Sequence, residues 1–101
     1  MAQTIIWSRE ALDDIGGIAE FISKDSPYHA EQVVERLLSV GNDLAAHPKL
    51  GRMVPERADP NVRERFLYSY RIIYELAGDA IHVLAVIHGK RLLESVDRFE
   101  S

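Results

Sequence analysis

Apolar residues recur at helical spacing over two stretches in the first half of the chain. The first stretch follows Ser8, a typical N-cap residue, and its apolar positions are Ala11, Leu12, Ile15, Ile18, Ala19 and Ile22. Ser26 and Pro27, a cap residue followed by a first-turn proline, predict the start of a second helix. The apolar positions of this second helix are Ala30, Val33, Val34, Leu37, Leu38, Gly41, Leu44 and Ala45. Because only Lys24 and Asp25 separate the two patterns, we expect an antiparallel helical hairpin.

The second half of the chain carries shorter β-branched and aromatic runs that are typical of strands. Residues 70–74 and 81–87 form two such runs, and Gly78-Asp79 between them is a two-residue hairpin signal. Regular pairing across this turn would place Arg71 and His88 on one face as diagonal neighbours. The other face would be apolar and would carry Tyr70, Ile72, Tyr74, Leu76, Ile81, Val83, Ala85 and Ile87.

The remaining segments complete one domain over residues 1–101. Thr4–Trp7 is a short strand candidate, residues 62–66 predict a strand leading into the hairpin, and residues 48–60 have the composition of a loop. A short amphipathic helical tail is predicted from Leu92, Leu93, Val96 and Phe99. The predicted fold class is therefore α+β: an N-terminal strand and an antiparallel helical hairpin packed on a small antiparallel β-sheet, with a short C-terminal helix.

Composition narrows the classes of protein to which the chain can belong. Hydrophobic residues make up 47% and charged residues 28%, which are ordinary values for a globular domain. No apolar run approaches the length of a membrane span, and the chain does not start like a signal peptide. Cysteine is absent, so neither a disulfide nor a thiolate metal site is available. We expect a cytoplasmic protein with no cofactor, and no metal site because the histidines are scattered along the chain.

Charge is distributed unevenly along the sequence. The net charge is −4, but residues 1–48 hold three basic and eight acidic groups, whereas residues 49–101 hold nine basic and eight acidic groups. A domain that grips nucleic acid by its phosphates usually has a strongly positive overall charge. The balance therefore argues against a general nucleic-acid-binding domain.

A basic cluster marks the end of the second hairpin strand. His88-Gly89-Lys90-Arg91 follows the apolar run, and Arg71 lies on the partner strand. We predict that the guanidinium groups of Arg71 and Arg91 reach a common exposed rim, and that Arg71→Ala or Arg91→Ala reduces activity while leaving the fold intact. The alternative is structural: Arg71 could pair with a carboxylate or a loop carbonyl, and Lys90 and Arg91 could simply keep the strand end soluble.

The whole chain resembles the RelE/ParE superfamily of bacterial toxins. The segments that carry the resemblance are, in order, Trp7…Ala11…Asp14, Ser26-Pro27 with Ala30, Leu50-Gly51-Arg52, Val54-Pro55-Glu56, Arg63-Glu64, Tyr70-Arg71-Ile72-Ile73-Tyr74 and His88-Gly89-Lys90-Arg91. The resemblance implies the toxin half of a type II toxin–antitoxin pair, a growth inhibitor held inactive by a cognate antitoxin. It also implies a small antiparallel sheet with an N-terminal helical hairpin, in agreement with the fold predicted above.

One branch of this superfamily cuts messenger RNA on the ribosome. Such cleavage needs an acid, a base and cations that stabilise the charged phosphate. Arg71 and Arg91 match two arginines of that active site, and His88 could act as acid or base. The branch also has a pair of lysines, but Val62 and Glu64 fall near those places. The tyrosine after the second arginine has no match either, because Asp97 is nearest.

The other branch poisons DNA gyrase without a catalytic site of its own. The resemblance at Val54-Pro55-Glu56, Arg63-Glu64 and the ending His88-Gly89-Lys90-Arg91, together with the acidic overall charge, favours this branch over the ribosome-dependent nuclease. The candidate residues for target contact and toxicity are Arg71, His88, Lys90, Arg91, Arg63 and Arg65. The implied antitoxin is a ribbon-helix-helix, ParD-like protein. The toxin would reach operator DNA only through this antitoxin. The expected biological role is plasmid stabilisation.

A third interpretation is an inactive module that has kept only antitoxin recognition. An antitoxin segment could lie against the helical hairpin through apolar anchors at helical spacing, or add a strand to a sheet edge. The candidate residues for antitoxin binding are Leu12, Ile15, Val34, Leu37 and Leu38.

Overall fold

A five-stranded sheet carries two helices on one face in the computed structural model, which describes residues 3–91, 93 and 96–99. The elements in chain order are β1 (Thr4–Trp7), α1 (Arg9–Ser23), α2 (Pro27–Ala46), β2 (Arg52–Met53), β3 (Val62–Leu67), β4 (Tyr70–Ala77), β5 (Ala80–His88) and a 3₁₀ turn (Asp97–Phe99). The strand order is β1-β5-β4-β3-β2. The predicted α+β fold is confirmed.

The sheet is mixed rather than purely antiparallel, which corrects one part of the prediction. β1 pairs with β5 in parallel, with Ile5 opposite Ile81, whereas the other neighbouring strands are antiparallel. Two further details also differ. The loop before β3 contains the short strand β2. The described residues of the predicted C-terminal helix are not α-helical: Leu93 and Asp97–Phe99 have 3₁₀ conformation, and Leu92 lies outside the described residues.

Both predicted helix caps are present. The Ser8 hydroxyl accepts a hydrogen bond from the Ala11 N–H at 3.0 Å, and the Ser26 hydroxyl accepts one from the His29 N–H at 3.1 Å. Each hydroxyl satisfies one of the amide donors that a helix leaves unpaired at its start. Neither α1 nor α2 is long and apolar enough to cross a membrane.

Two apolar clusters hold the layers together, one on each face of the sheet. The cluster between helices and sheet is buried and consists of Ala11, Ile15, Val33, Leu37, Val40, Leu44, Ile72, Tyr74, Ile81, Val83 and Val86. The cluster on the opposite face joins the sheet to the loop before β3 and to the C-terminal segment, and consists of Val54, Val62, Ile73, Ala85, Ile87, Leu93 and Val96. The second cluster explains why that face is not an exposed polar surface.

A β-bulge at Leu84 changes the face on which the ends of β4 and β5 present their side chains. Ala77 pairs with Ala80 as predicted, but the register then slips, so that Arg71 lies opposite Ile87 and not opposite Val86. One extra residue in a strand moves every later side chain to the other face. Ala85 and Ile87 therefore join the second cluster, and the prediction that Arg71 and His88 share a face is wrong.

The bulge is held by side chains from distant parts of the chain. The Asp14 carboxylate of α1 accepts a hydrogen bond from the Val86 N–H at 2.9 Å. Arg98 donates to the same carboxylate at 3.0 Å through both terminal nitrogens, and to the Leu84 carbonyl oxygen at 2.9 Å. These bonds satisfy backbone groups that the irregular pairing would otherwise leave without partners.

Candidate functional site

Arg71 is enclosed by two carboxylates on the face of the sheet opposite the helices. Its Nε donates to Glu64 Oε1 at 2.7 Å, and its two terminal nitrogens donate to the Glu56 carboxylate at 2.9 and 3.0 Å. Nη1 also donates to the Arg91 carbonyl oxygen at 3.0 Å. The side chain is only 6% exposed. The expectation that the Arg71 guanidinium reaches an accessible rim is therefore wrong, because these bonds hold it inside the protein.

The two carboxylates extend this arrangement into a network of four charged side chains, Arg52, Glu56, Glu64 and Arg71, which we call the ion-pair network. Glu64 is fully buried, and its second oxygen accepts from the Arg52 Nε at 2.6 Å. Glu56 Oε2 also accepts from the Leu93 N–H at 2.9 Å. The network thereby ties β2, β3, β4 and the segment after β5 to the loop that carries Glu56.

Mutual hydrogen bonding stabilises the charged forms in this network. The hydrogen bonds from Arg71 lower the pKa of Glu56 from 4.5 to about 2, against the opposing effect of burial. The hydrogen bond to Glu56 in turn raises the pKa of Arg71. Both groups are therefore charged at neutral pH, and neither is poised to exchange a proton in a reaction.

The depressed pKa of Glu56 predicts acid-sensitive stability. A carboxylate with a lower pKa in the folded state stabilises the fold above its ordinary value of 4.5, and this contribution is lost as the pH falls towards about 2. We expect Glu56 to account for about 2 kcal/mol of the fall in unfolding free energy between about pH 7 and about pH 3. Denaturant unfolding at both pH values, compared with Glu56→Gln, measures this share; equal pH slopes for the two proteins would contradict it.

His88 lies on the helix side of the sheet, whereas Arg71 lies on the other side. The His88 ring makes an edge contact with the Tyr70 ring at 6.4 Å between centroids, and its Nδ1 accepts from the Lys90 N–H at 3.3 Å. His88, Lys90 and Arg91 are all exposed at the end of β5. His88 and Arg91 also line an open groove against α1, whose other wall includes Asp13 and Phe21.

Arg63 and Arg65 point away from the ion-pair network. Arg63 donates to the carbonyl oxygens of Gly51 at 3.0 Å and Pro60 at 3.1 Å, so it holds the loops on either side of β2. Arg65 lines a small depression beside α2. The six candidate residues for target contact therefore do not form one site, and the structure brings only His88, Lys90 and Arg91 together on an exposed segment.

Tyr74 anchors the loop that leads into β2. The side chain is fully buried, its hydroxyl donates to the Pro48 carbonyl oxygen at 2.9 Å, and it accepts from the Gly51 N–H at 2.9 Å. Burial raises the pKa of Tyr74. The phenol is therefore a neutral structural group that positions the Leu50-Gly51-Arg52 segment.

The candidate residues for antitoxin binding divide into exposed and buried ones. Leu12 is 47% exposed and Leu38 is 41% exposed, whereas Val34 is half-buried. Ile15 and Leu37 belong to the cluster between helices and sheet, with exposures of 5% and 0%. The expectation that Ile15 and Leu37 contact an antitoxin is wrong, because helical spacing alone does not distinguish the stripe that faces the sheet from the positions beside it.

The structural roles of Asp14, Glu56 and Glu64 were not recognised from the sequence. Asp14 and Glu56 bind segments far away along the chain, and Glu64 meets Arg71 only through the pairing of β3 with β4, so no local sequence pattern indicates these contacts. Within residues 3–91, 93 and 96–99, no three His, Asp or Glu side chains come together as a metal site would require.

The sequence matches a family of known proteins. A family model described as the ParE toxin of the type II toxin–antitoxin system parDE matches residues 5–93. A relative from Caulobacter vibrioides, Toxin RelE2, is 32% identical over 93 residues, which cover 91% of this chain and 100% of the relative.

Solved structures share the fold. A chain from a chromosomal ParDE system of P. aeruginosa has a TM-score of 0.72 at 20% identity, covering 86% of this chain and 96% of that chain. A mutant of the E. coli toxin RelE in the free state has a TM-score of 0.65 at 19% identity, covering 89% and 86%. A chain of the RelBE2 toxin–antitoxin complex from Mycobacterium tuberculosis has a TM-score of 0.63 at 17% identity, covering 87% and 99%. At these identities the structural matches establish a common fold.

Proposed function

Because the chain belongs to the ParE toxin family of type II toxin–antitoxin systems, we propose that it inhibits growth by binding and poisoning DNA gyrase. A cognate antitoxin, of the ribbon-helix-helix, ParD-like kind, neutralises it in the cytoplasm. Of the residues that the sequence predicts for antitoxin binding, Leu12 and Leu38 of the helical hairpin are exposed, and we keep them as proposed antitoxin contacts. Operator DNA is reached only through that antitoxin.

The enclosure of Arg71 is the observation that carries this proposal. Cleavage of RNA requires cations that can approach the charged phosphate in the transition state. The Arg71 guanidinium is already bound by Glu56 and Glu64 and is 6% exposed, so it is not available to a phosphate. A toxin that acts by binding a protein needs no such cation, and the net charge of −4 is compatible with that mode of action.

Lys90 and Arg91, together with His88, are the proposed target contacts. Their segment starts directly at the end of β5, and the ion-pair network holds it through the Arg91 carbonyl oxygen and the Leu93 N–H. Arg71 and Glu56 thus act as positioning residues for the exposed cations. Arg63 and Arg65, which lie on the helix side of β3, are not part of this contact.

Purified toxin and gyrase provide the test. We expect the wild-type toxin to abolish supercoiling and to leave linear, cleaved DNA, and we expect Arg91→Ala to weaken inhibition about tenfold, as is typical of an arginine at a binding interface. Arg9→Ala, which removes an exposed arginine at the start of α1, is the matched control and should inhibit like wild type. Unchanged supercoiling at saturating wild-type toxin would contradict the proposal.

A ribosome-dependent nuclease is the second candidate, favoured by the name of the relative that is 32% identical, Toxin RelE2. In this case His88 and Arg91 would have to act on the message without Arg71. Toxin added to translating ribosomes, followed by primer extension on the message, distinguishes the two: codon-spaced cuts support the nuclease, and an intact message supports the gyrase toxin. Normal growth on expression without antitoxin would support the inactive module.

A further inference from the structure

The turn between β3 and β4 holds an aromatic residue in a strained backbone conformation. Tyr68 has φ +54°, and in the described part of the chain it is the only residue other than glycine with a positive φ. This left-handed region is unfavourable for a bulky side chain, whereas glycine and asparagine adopt it readily. The side chain is 62% exposed, so burial does not offset the strain. Residues strained in this way cluster at functional sites.

An exposed aromatic ring with a cation over it lies in β3 just before this turn. Phe66 is 49% exposed, and the guanidinium carbon of Arg52 lies over its ring at 5.5 Å from the centroid. Arg52 is fixed from the other side by Glu64 at 2.6 Å and remains 64% exposed. The hydrogen bond between Arg52 and Glu64 therefore presents the cation and the Phe66 ring together on the surface.

The basic segment after β5 packs against the same turn. The Gly89 N–H donates to the Ser69 carbonyl oxygen at 2.6 Å. A Cβ at position 89 would stand 3.1 Å from that oxygen and 3.6 Å from the Phe66 ring, so glycine permits this close approach. This contact places Lys90, the next residue, beside the turn. We call Arg52, Phe66, Tyr68 and Lys90 together the hairpin-tip patch.

The hairpin-tip patch exposes the cations of Arg52 and Lys90 on a protein that is acidic overall, and the carboxylate that pairs with Arg52 is buried beneath it. Residues 65–74 and 88–91 contain no Asp or Glu, while the chain as a whole has a net charge of −4. The carboxylate of Glu64, which contacts Arg52 of the patch, is fully buried and bound to Arg52 and Arg71. Exposed Tyr and Arg side chains with a rim of positive charge are typical of the residues that dominate protein–protein binding energy.

We propose that the hairpin-tip patch is the anchor by which the toxin docks on an acidic surface of its protein target, with Tyr68 entering an apolar pocket there and Arg52 and Lys90 facing carboxylates. This inference rests on the proposed function, in which gyrase is the target. The acidic net charge favours a protein over a nucleic acid as the partner, because binding to a phosphate backbone is driven mainly by positive charge.

The strain at Tyr68 makes the proposal testable without loss of folding. In Tyr68→Asn the new residue tolerates the left-handed conformation, so we expect an unchanged or raised melting temperature. We expect gyrase inhibition by the same variant to weaken at least about tenfold, equivalent to about 1.4 kcal/mol. Tyr28→Asn is the matched control, since Tyr28 is 73% exposed in the first turn of α2, and it should inhibit gyrase like wild type.

The outcomes separate this inference from the proposed function. If wild type inhibits gyrase and Tyr68→Asn inhibits equally well, the hairpin-tip anchor is wrong and the function stands. If wild type leaves gyrase unaffected, the proposed function is wrong, and the toxicity of the two variants in growing cells then tests the anchor. Lower toxicity of Tyr68→Asn than of Tyr28→Asn would support the anchor, and equal toxicity would overturn it. If the wild-type toxin binds a labelled DNA duplex in the absence of gyrase, and Tyr68→Asn does not, the partner is a nucleic acid and the proposal is overturned.

Discussion

Arg71→Ala is expected to destabilise the protein by about 3–5 kcal/mol, a large share of the roughly 5–15 kcal/mol by which a domain is stable. The reason is that the substitution leaves the fully buried Glu64 and the mostly buried Glu56 without their shared cation. Glu64 keeps its bond to Arg52 and Glu56 keeps its bond to the Leu93 N–H, but a buried carboxylate that loses a charged partner costs far more than the pair contributes. The hydrogen bond to the Arg91 carbonyl oxygen is lost as well, so the basic segment loses part of its anchorage.

Denaturant unfolding monitored by circular dichroism measures this effect. Arg65→Ala is the matched control, because Arg65 is a half-exposed arginine on the neighbouring strand, and its cost should stay below about 1 kcal/mol. The sequence alone predicts instead that Arg71→Ala reduces toxicity with the fold intact. A variant with wild-type stability and no toxicity would restore that prediction and contradict a structural role for Arg71.

Gly51→Ala is expected to cost about 3 kcal/mol, through steric overlap and loss of a buried hydrogen bond. A Cβ at position 51 would overlap the backbone carbonyl of Glu64 and stand 2.7 Å from the Tyr74 hydroxyl oxygen. The backbone has to move away, which breaks the Gly51 N–H bond to Tyr74 and shifts Arg52 relative to Glu64. The ion-pair network and the loop before β2 are therefore both disturbed.

Gly16→Ala provides the control for this substitution. Gly16 lies in α1 with open space around the position of a Cβ, so alanine there should stabilise the protein by up to about 1 kcal/mol. Thermal melts of the two variants should therefore shift in opposite directions from wild type. A Gly51→Ala protein that melts at the wild-type temperature would show that the loop before β2 is not packed as described.

The elements that follow from local pattern were predicted from the sequence, and the contacts that depend on irregular pairing were not. Ser8 and Ser26 mark the helix starts because a cap acts on residues close by. The Gly78-Asp79 turn is equally local and lies where it was predicted. The bulge at Leu84, by contrast, is held by Asp14 and Arg98, which are far away in the sequence, so alternation along the strand gave the wrong face for His88 relative to Arg71.

The same limit applies to the charges of the candidate site. An arginine in a strand can bind a ligand or a buried carboxylate, and only the fold decides between them. Glu64 stands near a position at which the resemblance to the nuclease branch suggests a lysine. A glutamate there binds Arg71 at 2.7 Å and turns it from an available cation into a structural group. The pairing of Glu64 with Arg71 therefore gives a physical reason for favouring the branch without a catalytic site.

The exchange behaviour of the Arg71 side chain tests its enclosure most directly. In a ¹H–¹⁵N spectrum of the arginine side chains at neutral pH, we expect the Arg71 Nε–H to give a persistent, slowly exchanging signal, because it donates to Glu64 at 2.7 Å in a buried site. The signal should not move on addition of salt or a short RNA, and Glu64→Gln should weaken its protection. A rapidly exchanging Arg71 signal that shifts on addition of RNA would contradict the enclosure of the guanidinium and, with it, the choice of gyrase over RNA.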